Sequence, residues 1–169
     1  AVPRIKFGGV VSREEELVKM MGWGVDPARE KDFTDIEKMM VRGRMPASGK
    51  NEVVMGKGLL KKLEKEVGQK VTILYNTAFS SFKGRTFTIT GMIESDLQLL
   101  NDNVFYVSLT TAQEMLYLEQ SFTEILLVTP SLDQVNGILP QVRQLFQGRA
   151  GSEKYAVIPW NDSGGMIYW

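Results

Sequence analysis

Hydrophobic and polar positions change rhythm several times along the chain, between the two-residue alternation of a strand and the 3.6-residue recurrence of a helix. In "KVTILY", Val71, Ile73 and Tyr75 point one way and Thr72 and Leu74 the other. In "RTFTITGMI", Phe87 and Ile89 face inward and Thr86, Thr88 and Thr90 outward. The polar loop "NTAFSSFKG" lies between these runs, so the three pieces predict a hairpin. "RIKFGGVVS" predicts a strand interrupted by glycine, and "NVFYVSL" another strand. "REEELVKMMGWG" fits either a short helix or an edge strand.

Helical spacing occupies the intervals. Asp26 stands as an N-cap with Pro27 at the first helical position, where its missing N–H costs nothing. In "FTDIEKMMVRGR", Thr34 and Glu37 form a capping box, Ile36, Met39 and Met40 share a face, and Gly43 ends the helix. The short strand Glu52 to Met55 leads into a helix of about ten residues, with Leu59, Leu60 and Leu63 on one side and lysines on the other. "TTAQEMLYL" predicts a helix opened by Thr110 and Gln113. "TEILLVTP" is a continuous apolar run of the kind buried on both faces. In "SLDQVNGILPQVRQLFQG", Leu132, Val135, Leu139, Val142 and Phe146 keep helix spacing, and Pro140 is expected to kink or split that helix. "KYAVIPW" predicts a last strand. There is no internal repeat and no low-complexity segment.

These elements predict an α+β protein of two lobes. The first lobe is a discontinuous α/β sandwich, residues 1–45 plus 120–160. The second, residues 46–119, is β-rich and inserted into the first. Residues 161–169 form a tail. Its end, "GGMIYW", turns apolar and aromatic as chains do on approaching a membrane surface, where Trp and Tyr are favoured. No run reaches the roughly 18 apolar residues of a membrane span.

The 169 residues balance 20 basic against 20 acidic side chains, which argues against a nucleic-acid footprint. Arg42, Arg44, Lys50, Lys57, Lys61, Lys62 and Lys65 nevertheless fall in one region, most simply a solvated face. The absence of Cys and His removes thiol catalysis, disulfides, Cys/His zinc sites and His-based triads. It also suits an oxidising space, where a free thiol is a liability. Gly49-Lys50 and Gly56-Lys57-Gly58 suggest phosphate binding, but neither has P-loop spacing and Asn51 replaces the required hydroxyl. The glycines therefore read as strand-to-helix turns. Gly22 and Gly24 lack the third glycine of a dinucleotide fingerprint. Glu14, Glu15 and Glu16 form a charge run, and Glu94, Asp96 and Asp102 match no calcium loop. No catalytic, cofactor or metal residue is assigned. Phe79 and Phe82 stand out, because they occupy a hairpin tip where water normally selects polar residues. They are the candidate partner-binding residues.

"NEVVMGKGLLKKLEKEVGQKVTIL", then "FTITGMIES", then "NVFYVSLTTAQEML", resembles the extracytoplasmic domain of MacB/FtsX-like ABC transporter permeases. "GVDPARE" ahead of "VRGRMP" resembles the lipoprotein-releasing (LolC/LolE-like) branch, and "TEILLVTPSLDQVNGILPQVRQLF" the second α/β half of the same domain. The resemblance implies a porter-like α/β lobe with an inserted β-rich lobe, set between membrane helices and lying in the periplasm at the bacterial inner membrane. It implies no enzyme activity and no cofactor here, because ATP is hydrolysed by a cytoplasmic ATP-binding subunit or domain. The expected partners are that ATPase, a second permease subunit, the membrane through flanking helices, and a periplasmic carrier or adaptor. Two features depart from the pattern. The helix that usually precedes the strand resembling "VPRIKFGG" is missing. The loop from about Asn76 to Arg85 is also shorter than the hook with which one lipoprotein-releasing subunit recruits its carrier. Two rival readings remain open: a soluble β-barrel-containing enzyme or small-molecule binder, and a free-standing adaptor.

Overall fold

The computed structural model describes residues 1–31, 34, 36–131, 133–149, 151 and 154–159. Contacts divide the chain into one compact unit, Ala1–Leu127, and a second, Val128–Trp169. The expected boundaries at 45/46 and 119/120 do not coincide with this division.

The first unit is built on a sheet that closes on itself. Strands β1 (Val2–Arg13) and β2 (Glu16–Val25) form an antiparallel hairpin, as do β5 (Lys70–Asn76) and β6 (Phe82–Ile93). Strand β4 (Glu52–Gly56) runs parallel to β6, and β7 (Val104–Ser108) parallel to β2. Antiparallel pairs β1–β5 and β4–β7 complete the ring β1-β2-β7-β4-β6-β5. Two short strands attach outside it: β3 (Met40–Gly43) on β6, and β8 (Glu124–Leu126) on the first residues of β1. Closure removes the free edges that an open sheet must protect.

Exchanging β1, β2 and β4 with β5, β6 and β7 reproduces every pairing in the ring, so the barrel has an internal pseudo-twofold. Each half ends in the same strand-to-helix unit: β4 into α3 (Lys57–Leu63), and β7 into α5 (Leu109–Leu116). The N-caps, Gly56 (φ −64, ψ 146) and Ser108 (φ −65, ψ 149), nearly superpose in dihedral space. The left-handed C-caps, Glu64 (φ 51, ψ 45) and Tyr117 (φ 56, ψ 39), do so too. The side chains of the two halves have little in common, which is why the sequence shows no repeat.

Two cores use the two faces of the sheet. The inner one gathers Phe7, Val11, Val53, Met55, Val71, Ile73, Phe87, Ile89, Phe105 and Val107, closed by Leu59, Leu60 and Leu63 of α3 and Ala112, Met115 and Leu116 of α5. The alternation expected for Val71, Ile73 and Tyr75 and for Phe87 and Ile89 is what the strands show. The second core holds Trp23, Val25, Ile36, Val54, Ile93, Val104 and Tyr106. Its cover is the segment after β2, where α1 (Pro27–Glu30) starts at Asp26, whose side chain accepts from the Ala28 N–H. Glu30, fully buried, receives the Arg4 guanidinium through two of its nitrogens and the Thr34 hydroxyl at 2.9 Å. A buried ion pair holds geometry because removing either partner leaves an unpaired charge in the core. This one ties the first residues of β1 to α1.

Several local expectations are corrected by tertiary pairing. "REEELVKMMGWG" is resolved as strand β2, since β1 and β7 supply ladders on both its sides. The helix expected up to Gly43 stops at Met39 as α2 (Ile36–Met39), because Met40–Gly43 hydrogen-bonds to β6. Helix α3 has seven residues rather than ten, and α5 is capped by Ser108, whose hydroxyl accepts from the Thr111 N–H at 3.1 Å, not by Thr110. "SDLQLLND" carries a short helix, α4 (Gln98–Asn103). "TEILLVTP" is buried on neither face: only Glu124–Leu126 pairs, and Ile125 is 60% exposed.

In the second unit α6 (Asp133–Phe146) runs unbroken through Pro140, which lies on its solvent side. None of its described side chains is buried, and Leu132 lies outside the described residues. The Phe146 and Tyr155 rings meet at 5.8 Å, but residues 155–159 form no strand. The rest of "KYAVIPW" and the aromatic tail lie outside the described residues. No helix among the described residues is long and apolar enough to cross a membrane.

The two capping assignments separate experimentally. Ser108→Ala removes a buried acceptor and is expected to cost about 1–2 kcal/mol in urea unfolding. Thr110→Ala, at the site the sequence pattern favours, is expected to cost under about 0.5 kcal/mol.

Candidate functional site

The hairpin β5–β6 carries the two phenylalanines singled out by sequence. Its turn is held by Thr77, whose N–H donates to the Ser81 carbonyl at 2.9 Å and whose hydroxyl accepts from the Ser81 N–H at 3.2 Å. Ser80 takes a left-handed conformation (φ 58). The Ala78 N–H donates to the Leu116 carbonyl at 3.0 Å, which pins the turn to the C-terminal end of α5. Within this fixed frame Phe79 is 75% exposed, and Phe82, the first residue of β6, is 65% exposed. Neither ring folds back into the core.

The structure adds a third aromatic. Tyr117, the left-handed cap of α5, is half exposed, and its ring lies 6.2 Å from that of Phe79. The Lys83 ammonium sits 5.5 Å above the Tyr117 ring. Its hydrogen bond to the Tyr117 hydroxyl is the main reason its pKa is raised. A shallow depression of about 230 Å³ opens beside Tyr117, lined also by Thr110, Gln113, Glu114 and Glu119. Phe79 and Tyr117 are far apart in sequence, and the Ala78–Leu116 hydrogen bond joins the elements that carry them. One sequence signal was available. The apolar stripe of α5 is Ala112, Met115 and Leu116, and Tyr117 falls off it.

The other candidate groups disperse. Gly56 and Gly58 are architectural, not a phosphate cradle: a Cβ on Gly56 would stand 2.2 Å from the Asn101 carbonyl oxygen, and one on Gly58 would strike the Asp102 carboxylate. They let α3 pack against α4. Gly49 is a turn residue with φ +66. Gly22 and Gly24 make room for side chains: a Cβ would meet Phe105 and Phe7 at the first and Ala112 at the second. Glu94 is bound by Lys57 at 2.9 and 3.0 Å, whereas Asp102 accepts from Gln98 at 2.8 Å. Among the described residues no three acidic side chains gather as a metal site would require. Glu14 and Glu15 turn the β1–β2 hairpin.

The basic region is partly neutralised. Arg44 grips Glu52 with two 2.7 Å hydrogen bonds, and the Ala47 N–H adds a third at 2.9 Å. These donors, Arg44 first, hold the Glu52 carboxyl down at about 2.

The first unit is thus a closed barrel of two hairpins and two strand-to-helix units, its interior filled by apolar side chains. The chain belongs to the family of MacB-like periplasmic core domains, whose model matches residues 1–145. Among solved structures it is similar to the extracellular domain of the noncanonic ABC-type transporter YknZ from Gram-positive bacteria. That likeness has a TM-score of 0.59 at 16% identity, over 85% of this chain and 72% of that one. No curated protein sequence matches.

The Glu52 clamp sets an acid limit on stability. Its folded-state pKa is depressed from the ordinary 4.5 to about 2. The stabilisation is therefore complete above pH 4.5 and is lost as pH falls toward 2. Thermal melts of Glu52→Gln are expected to lie below wild type at neutral pH and to converge with it near the acid end of that window.

Proposed function

We propose that this domain is the non-catalytic extracytoplasmic part of an ABC transporter permease. In this reading it lies on the periplasmic side of the bacterial inner membrane and transmits the work of a cytoplasmic ATP-binding subunit or domain to a cargo or partner. The cargo class is a lipoprotein, a peptide or a small toxic molecule. Family membership supports the transporter context. The lipoprotein-releasing branch rests on the resemblance of "GVDPARE" and "VRGRMP" to that group. A second permease subunit and a periplasmic carrier or adaptor belong to the same reading.

One observation carries the contact role: two phenylalanines are held exposed on a turn that is itself rigidly bonded. Exposing them forgoes roughly 2 kcal/mol of burial for each ring. The Thr77 and Ala78 hydrogen bonds hold the turn in the backbone conformation that presents them. Phe79, Phe82 and Tyr117 then act as the apolar centre of an interface, with Lys83 at its polar edge. The barrel interior is occupied by apolar side chains such as Ile73, Phe87 and Phe105, which supports a contact role for the outer surface.

Phe79→Ser together with Phe82→Ser, made in the intact transporter, is expected to reduce export severalfold. The melting temperature of the domain should stay within about 2 °C, as for exposed positions generally. Unchanged export would remove the contact role, and a large fall in melting temperature would show that the two rings serve the fold.

A further inference from the structure

The pseudo-twofold gives each half of the barrel a depression beside the C-terminal end of its helix, and the two differ in charge. Beside α5 the lining is Thr110, Gln113, Glu114, Tyr117 and Glu119, and the nearby cations are engaged, Lys83 over the Tyr117 ring and Arg85 with Glu114. Beside α3 it includes Arg42, Lys57, Lys61 and Lys65 against the single carboxylate of Glu66, over a floor of Leu60, Val67 and Met92. Both halves use the same strand-to-helix unit with different surfaces, so the topology alone does not set the cationic one.

Two further facts set the α3 depression apart. Lys57 and Lys61 are four residues apart on one helix face, an arrangement that repels itself and is unfavourable in isolation. The helix dipole accounts for Lys61 and Lys62 in the last turn. It does not account for Arg42, which comes from β3, nor for Lys65, which follows the cap. Lys57 is engaged by Glu94, whereas Arg42, Lys61 and Lys65 make no ion pair or side-chain hydrogen bond among the described residues.

We propose that this depression is a docking site for an acidic, partly apolar segment of a partner protein. Arg42, Lys61 and Lys65 would pair with its carboxylates, and an apolar side chain would rest on Leu60, Val67 and Met92. The volume, about 230 Å³, suits one or two side chains and is smaller than a small-molecule pocket. Leu60 lies at the bottom of the depression, 4% exposed, with Val67 and Met92 half-buried beside it. The proposal is independent of the aromatic contact at Phe79 and Phe82, which lies on the other hairpin end, beside α5.

The test is a titration of the chain with a synthetic peptide of repeated Glu-Glu-Leu triplets, followed by amide chemical shifts. A Lys-Lys-Leu peptide of the same length is the control. The acidic peptide is expected to shift residues of α3, β3 and the turn after Glu64, and to bind more weakly as salt rises. Arg42→Glu with Lys61→Glu should weaken it by at least about tenfold, or ~1.4 kcal/mol. Glu114→Lys with Glu119→Lys, on the pseudo-equivalent surface, should not. Circular dichroism melts of both variants confirm that each is folded, and Lys65→Gln gives a milder variant of the same sign. Equal affinity for the two peptides, no binding, or shifts that map elsewhere would overturn the proposal. So would binding of phosphatidylglycerol vesicles that Arg42→Glu with Lys61→Glu abolishes while the peptide fails to bind, since the source would then be a lipid. Self-association lost in the same variant, with no peptide binding, would make the occupant a second copy and overturn it too.

Discussion

The barrel depends on one aromatic contact at its centre. Phe7 of β1 and Phe105 of β7 meet edge to face, with centroids 5.5 Å apart and planes at 88°. They fill the interior where six strands must converge, and there is room only because Gly9 and Gly22 stand beside them. A Cβ on Gly22 would lie 2.5 Å from the Phe105 ring and 2.6 Å from that of Phe7, and one on Gly9 would lie 2.9 Å from Phe105. Two large rings and two absent side chains thus make one packing unit, with volume conserved across it. The β1–β2 hairpin closes against β7 on one side and β5 on the other through this unit. Gly22, which with Gly24 falls one glycine short of a dinucleotide fingerprint in sequence, is here a condition for barrel closure.

The duplicated strand-to-helix unit separates what the fold needs from what it leaves free. Each helix buries one stripe: Leu59, Leu60 and Leu63 in α3, and Ala112, Met115 and Leu116 in α5. Each ends in a left-handed cap whose N–H donates back into the last turn. Those constraints are met by quite different residues, Gly56 or Ser108 at the start and Glu64 or Tyr117 at the end. The outward faces are then unconstrained. One half presents aromatics held by a rigid turn, the other a cationic rim over an apolar floor.

The candidate contact surface was legible in part. Phe79 and Phe82 could be picked out because a hairpin was predicted around them and apolar residues at its tip lack a local reason. Tyr117 could not be joined to them, since its approach to Phe79 depends on the Ala78–Leu116 hydrogen bond between two elements remote in sequence. The basic cluster was visible as a run of lysines and arginines. Its division into the clamped Arg44, the engaged Lys57 and the unengaged Arg42, Lys61 and Lys65 required knowing where Glu52 and Glu94 lie. Charge patterns in sequence carry no information on which partners fold brings within reach.

By itself the sequence determined the elements whose pattern is local and strong. These are the alternating strands β5 and β6, the amphipathic stripes of α3 and α5, and the Asp26-Pro27 helix start. Each follows from side-chain periodicity or from a cap that satisfies nearby backbone groups. Tertiary structure decided everything that needed a distant backbone partner. Met40–Gly43 became strand because β6 offered a ladder, and Glu16–Val25 because β1 and β7 did. "TEILLVTP" lost its expected burial because only three of its residues found β1. The physical reason is that a helix satisfies its hydrogen bonds within a few residues, whereas a strand satisfies them only against a neighbour whose place is set by the whole chain.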